Sequence, residues 1–82
     1  MYLKDIKKND YYIIEEINTD EKSKRRLYDI GLISGTKVKK LYTSPSKKIN
    51  AYLIRNSMVA IRNKDAALIK VRCINDKNSF DR

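Results

Sequence analysis

The 82-residue chain carries no histidine and a single cysteine, Cys73, so the residue types that most often do chemistry are nearly absent. A Ser-His or Cys-His pair needs a histidine base, and a structural zinc site draws on several Cys or His ligands. One thiol cannot form an internal disulfide, and nothing points to an oxidising compartment. Cys73 lies in the run Val71-Arg72-Cys73-Ile74 and reads as a small, partly buried apolar residue rather than a reactive thiol. Carboxylates remain. Asp29 and Asp65 suit helix-end or surface roles, and no base completes a site around either. Glu15-Glu16 and Asp20-Glu21 are adjacent pairs that strand exposure and a helix start explain better than a divalent ion does. No enzymatic activity, metal centre or cofactor is therefore expected.

The charge is more informative. Of a formal net charge of +9, eight positive residues fall in the acid-free stretch between Asp29 and Asp65. They are Lys37, Lys39, Lys40, Lys47, Lys48, Arg55, Arg62 and Lys64, which leaves +1 for the rest of the chain. Such asymmetry suits an acidic partner, whether a protein, a nucleic acid or an anionic lipid, but a lysine-rich solvated face has the same composition. No run of 18 apolar residues occurs and the N-terminus lacks the pattern of a signal peptide, so no membrane insertion is expected and the default location is cytoplasmic.

The elements that position these residues read as short strands. Leu3 and Ile6, three apart, suggest a helical or turn lead-in covering one end of the core. Lys8-Asn9-Asp10 marks a turn, and Tyr11-Tyr12-Ile13-Ile14-Glu15-Glu16-Ile17 a strand whose core face is ambiguous. Asn18, Thr19 and Asp20 are N-cap candidates for a helix over 21–30, with Leu27 and Ile30 on one narrow apolar stripe. A strand over 36–42 switches its apolar side at Lys40-Leu41, which predicts a bulge or sharp bend. After a loop over 43–48 marked by Pro45, segments 49–55 and 58–62 form a hairpin joined at Asn56-Ser57. Asn63 caps a helical turn over 63–67, and 68–74 is the closing strand. Residues 75–82, Phe80 included, read as a flexible polar tail after a single domain over 1–74. Five short strands are best satisfied by curling into a small, partly open barrel, with one short helix after the first strand.

Both glycines of the chain fall within Gly31-Leu32-Ile33-Ser34-Gly35-Thr36-Lys37-Val38. Gly31 ends the helix and Gly35 takes a positive-φ corner, which makes this stretch a structural joint rather than a phosphate cradle. With its flank Arg25-Arg26-Leu27-Tyr28-Asp29-Ile30 it resembles the FeoA family, the ferrous iron transport protein A domains. The likeness continues at Met58-Val59-Ala60-Ile61-Arg62, Asp65-Ala66-Ala67 and Ile69-Lys70-Val71 and covers residues 1–74. The chain departs from that family at Lys8-Asn9, where Pro-Gly is common, and at Ser34, where proline is. It also has Asn56 in place of a frequent glycine and Lys40 in place of an apolar residue.

The resemblance implies a mainly β, SH3-like five-stranded barrel acting in bacterial ferrous iron uptake. It also implies a partner, the cytosolic GTPase-bearing domain of the FeoB transporter, and it carries over no catalytic or metal residues. Candidate contacts are Lys24, Arg25 and Tyr28 on the helix, with the lysines Lys39, Lys47 and Lys48 expected to be exposed. Arg26 and Leu27 are the candidates for anchoring the helix to the barrel. Two alternatives compete. One is a nucleic-acid-binding barrel using the basic segment and some of the six tyrosines; the other is a stand-alone relative of the barrels of metal-dependent repressors. An open barrel also leaves edges through which copies could pair into a homo-oligomer.

Overall fold

In the computed structural model, which describes residues 1–74, both glycines of the joint sit at φ +93°. Helix α1 (Glu21–Asp29) ends there in a Schellman motif. The Gly31 N–H donates to the Tyr28 carbonyl and the Leu32 N–H to the Leu27 carbonyl, each at 2.9 Å. Leu27 and Leu32, the apolar pair that accompanies this cap, are both buried. Gly35 is the third residue of a turn closed by the Thr36 N–H on the Ile33 carbonyl at 3.0 Å, and its positive φ is what a type II corner requires. At the other end of α1, Asp20 is the N-cap; its Oδ1 accepts from the Ser23 N–H at 3.3 Å. The Ser23 side chain first, and then this backbone bond, hold the Asp20 carboxyl below its usual range.

Five antiparallel strands form one sheet in the order β4-β3-β2-β1-β5. They are β1 (Tyr11–Ile17), β2 (Lys37–Thr43), β3 (Ile49–Ile54), β4 (Ser57–Arg62) and β5 (Ile69–Cys73). The sheet curls without closing. Two register shifts bend it, one between Ile14 and Glu16 in the pairing with β5, the other between Lys40 and Tyr42 against β3. The second lies where the apolar side switches in the sequence. The first resolves the ambiguous face of β1: Tyr12 and Ile14 point inward, and the extra residue turns Ile17 inward as well.

The core joins Leu3, Ile6, Tyr12, Ile14, Ile17, Leu27, Leu32, Val38, Tyr52, Ile54, Ile61, Ala66, Ile69 and Val71. A 3-10 turn, Leu3–Asp5, caps it, with Leu3 wholly buried. Tyr52 is the largest side chain inside, and its hydroxyl donates to the Leu3 carbonyl at 3.3 Å while accepting from Asn50 Nδ2 at 3.1 Å. Burial, reinforced by the Asp5 carboxylate and opposed by the Asn50 bond, pushes the Tyr52 hydroxyl up to about 12.

Several expectations are corrected. The hairpin turns at Arg55-Asn56, one residue earlier than Asn56-Ser57, with φ of 52° and 68°. Arg55 supplies a positive φ that arginine does not advertise. Asn63 is the first residue of α2 (Asn63–Ala66) rather than its cap, because its amide is committed elsewhere: it accepts from Asn50 at 2.7 Å and donates to the Lys47 carbonyl at 2.7 Å. Ile30 is the C-cap of α1 and lies exposed instead of extending the buried stripe. Cys73 is exposed, not partly buried, since it ends an edge strand opposite Tyr12, where β1 begins. The tail reading for 75–82, with Phe80, lies outside the described residues.

Candidate partner-binding surface

Helix α1 presents Lys24, Arg25 and Tyr28 at three- and four-residue spacing, so they share one side of the helix. Lys24 is half-buried, while Arg25 and Tyr28 are exposed. The charge there is mixed, because Arg25 lines a shallow depression together with Glu21, Lys22, Arg26 and Asp29. Arg26 is exposed and Leu27 buried, so Leu27 anchors the helix and Arg26 borders the groove beside it.

Lys39 is not the exposed lysine the sequence suggests. It is half-buried, and its Nζ lies 4.9 Å from the centre of the Tyr11 ring, with Lys37 Nζ at 5.1 Å over the same ring. The electron-rich Tyr11 ring attracts both ammonium groups and holds them near the sheet. Lys47 and Lys48 are exposed on the β2–β3 loop, where Lys47 adopts φ 64°. Asn63 clamps that loop: its side chain bonds the Lys47 carbonyl and its N–H donates to the Lys48 carbonyl at 2.8 Å.

The clamp brings Lys47 and Lys48 to the same depression as Arg62 and Lys64, with Ile49 as its apolar wall. Arg62 and Lys64 were not singled out in the sequence. The signal was there, since both belong to the acid-free stretch and the β3–β4 pairing sets Arg62 opposite Ile49. Arg62 also borders a second groove, between α1 and β4, floored by Leu27, Ile30, Val59 and Ile61. Arg25 and the loop lysines therefore line separate depressions, and Arg62 reaches the groove that runs along the helix. Its Nε is 3.8 Å from Asp65 Oδ2, a partly exposed pair worth less than ~1 kcal/mol.

The joint is held by Thr36 from within it and by Arg55, which the sequence does not place there. The Gly31 carbonyl accepts from Thr36 Oγ1 and from Arg55 Nε, each at 3.2 Å, which pins the hairpin tip to the end of α1. A Cβ on Gly31 would lie 2.6 Å from Arg55 Cδ and displace that side chain, and the φ of +93° strains any other residue there. Two of the carboxylates have structural work: Asp20 caps α1, and Glu15 pairs with Arg72 across β1–β5 at 3.6 Å. Among the described residues, no three His, Cys, Asp or Glu side chains gather where they could hold a metal ion, and no helix is long and apolar enough to cross a membrane.

Against known structures, the chain resembles the FeoA protein of Chlorobium tepidum at TM-score 0.86 and 26% identity, covering 90% of this chain and 70% of that one. It resembles the zinc-complexed FeoA of Stenotrophomonas maltophilia, described as an SH3 domain protein, at TM-score 0.74 and 19% identity, with 87% and 88% covered. A manganese-dependent transcriptional repressor matches at TM-score 0.81 and 17% identity, over 90% of this chain and 41% of that one. The last two likenesses are of fold alone, and they identify the unclosed sheet as an SH3-like barrel. No curated protein matches the chain significantly. The FeoA domain model, however, spans residues 1–73, from the capping 3-10 turn to the last residue of β5, and by that match the chain belongs to the FeoA family, which is linked to ferrous iron transport.

Proposed function

We propose that this protein is a non-enzymatic accessory component of bacterial ferrous iron uptake. It acts in the cytoplasm by binding the cytosolic GTPase-bearing domain of the FeoB transporter. The observation that carries the reading is the family match over residues 1–73. The surface is consistent with a protein-binding role, since basic side chains border two depressions beside exposed apolar residues such as Ile30. Lys24, Arg25, Tyr28, Lys47 and Lys48 are the proposed contacts. Lys39, already engaged with Tyr11, is the weakest of the set.

Co-purification with the cognate FeoB cytosolic domain, together with ferrous uptake after deletion of the gene, tests the proposal. A complex and impaired uptake are expected; normal uptake and no complex overturn it. Four cations on one depression would also suit a nucleic-acid backbone, for which binding should fall steeply as salt rises. The tyrosines divide over that alternative, since Tyr2, Tyr28 and Tyr42 are exposed and free to stack, whereas the other three are not. Tyr12 and Tyr52 are buried, and Tyr11 lies beneath two lysines.

A further inference from the structure

The two edges of the sheet are treated differently. The outer edge of β5 is covered: the Val71 N–H donates to the Met1 carbonyl at 2.8 Å, and Tyr2 bridges Lys70. Among the described residues, no strand or turn pairs with the outer edge of β4. A two-residue loop makes Ile54 and Ser57 a hydrogen-bonded pair. Alternation along an antiparallel ladder then turns the N–H and C=O of Met58 and Ala60, and the N–H of Arg62, away from β3, while the Arg62 carbonyl belongs to the N-cap of α2. The Asn63 N–H bond to Lys48 falls in step with that alternation. Met58 is 62% exposed and Ala60 is exposed as well, so this edge lacks the bulky cover that usually protects one. Alongside runs the groove floored by Leu27, Ile30, Val59 and Ile61, with Arg26 and Arg62 on its rim.

We infer that the outer edge of β4 is a docking site for an extended, acidic segment of a partner protein, which adds to the sheet as a sixth strand. Backbone bonds to Met58, Ala60 and Arg62 supply affinity, as strand addition does generally, and alternate apolar side chains enter the groove. Charge selects the occupant. The edge runs from the acid-free part of the chain into the depression of Lys47, Lys48, Arg62 and Lys64. Among the described residues, Asp65 is the one carboxylate at the groove, and it faces Arg62. A second copy is a poor occupant, because a net charge of +9 sets copy against copy. The inference rests on the reading above that the chain works by binding a protein.

The test uses the full isotope-labelled chain and a ten-residue peptide alternating valine and glutamate, with a glutamine-for-glutamate peptide as control. The expected result is amide shifts confined to β4, α1 and the Lys47–Lys48 loop, with hydrogen exchange at Met58, Ala60 and Arg62 slowed at least tenfold. The glutamine peptide should bind at least tenfold more weakly. Ala60→Pro removes an outward N–H without touching the β3–β4 ladder and should abolish binding; Arg62→Glu, which keeps the backbone intact, should weaken it at least tenfold. Equal binding by either variant, shifts on another face, or protection of β4 that rises with protein concentration alone overturns the inference. The FeoB cytosolic domain separates the two proposals. If both variants bind it as the unmodified chain does, strand addition falls and the transporter reading stands. If the acidic peptide binds as described while that domain does not, the docking site stands and the transporter reading falls.

Discussion

The 3-10 turn at Leu3–Asp5 and helix α1 both pack against the curled sheet, yet the shorter element is the more deeply held. Three residues place Leu3 at 0% exposure, with Ile6 behind it at 3%. Side chains from the sheet grip the same segment: the Tyr52 hydroxyl and Lys40 Nζ donate to the carbonyls of Leu3 and Lys4, and the Lys7 N–H donates to the Tyr12 hydroxyl. The nine residues of α1 bury only Leu27, at 8%. Tyr28 and Ile30 remain exposed at 48% and 40%. Length therefore does not measure an element's part in the core. The turn closes the fold, whereas the helix, fixed at its two ends, is left to present a surface.

Leu3→Ala should cost the most, about 3 kcal/mol, because it removes a wholly buried side chain and leaves a cavity. In so small a domain this is a large share of the total stability, and a urea midpoint reads it directly. Leu27→Ala should cost less, about 2 kcal/mol, with the sheet retained. Equal losses would erase the distinction between the two elements. Tyr52→Phe comes next, at about 1 kcal/mol, for the hydroxyl that ties the turn to β3. Because the folded hydroxyl titrates near 12 rather than 10, the folded state holds its proton more tightly. The unmodified chain should therefore lose stability as pH rises from about 10 towards 12, and the phenylalanine variant should lack that component of the alkaline limb. Asp20→Ala should have the smallest effect, a modest fall in melting temperature from a lost cap. The lowered Asp20 pKa makes that contribution fully present above the ordinary carboxylate range and lost in acid, so the two proteins should converge as pH falls.

The sequence exposed the local rules and concealed the tertiary ones. Gly31, Gly35, Asp20 and the switch of apolar side at Lys40-Leu41 each announce a backbone event that the fold contains. Arg55 is the counterexample. Its positive φ belongs to the two-residue turn, and its side chain is committed to the Gly31 carbonyl 24 residues away, a contact no local pattern announces. Asn63 looked like a cap for the same reason, its true partners being Asn50 and Lys47. At the candidate surface, Lys47 and Lys48 were legible from charge alone. Their company with Arg62 and Lys64 depends on which residues face across β3 and β4, and a charge count carries no register.

The bond between the Met1 carbonyl and the Val71 N–H brings the start of the domain to its last strand. A unit whose two ends meet can be spliced into a longer polypeptide with little distortion at either junction, or rejoined end to end and reopened elsewhere. In this sense the barrel is a cassette, a fold that can travel between proteins as one piece.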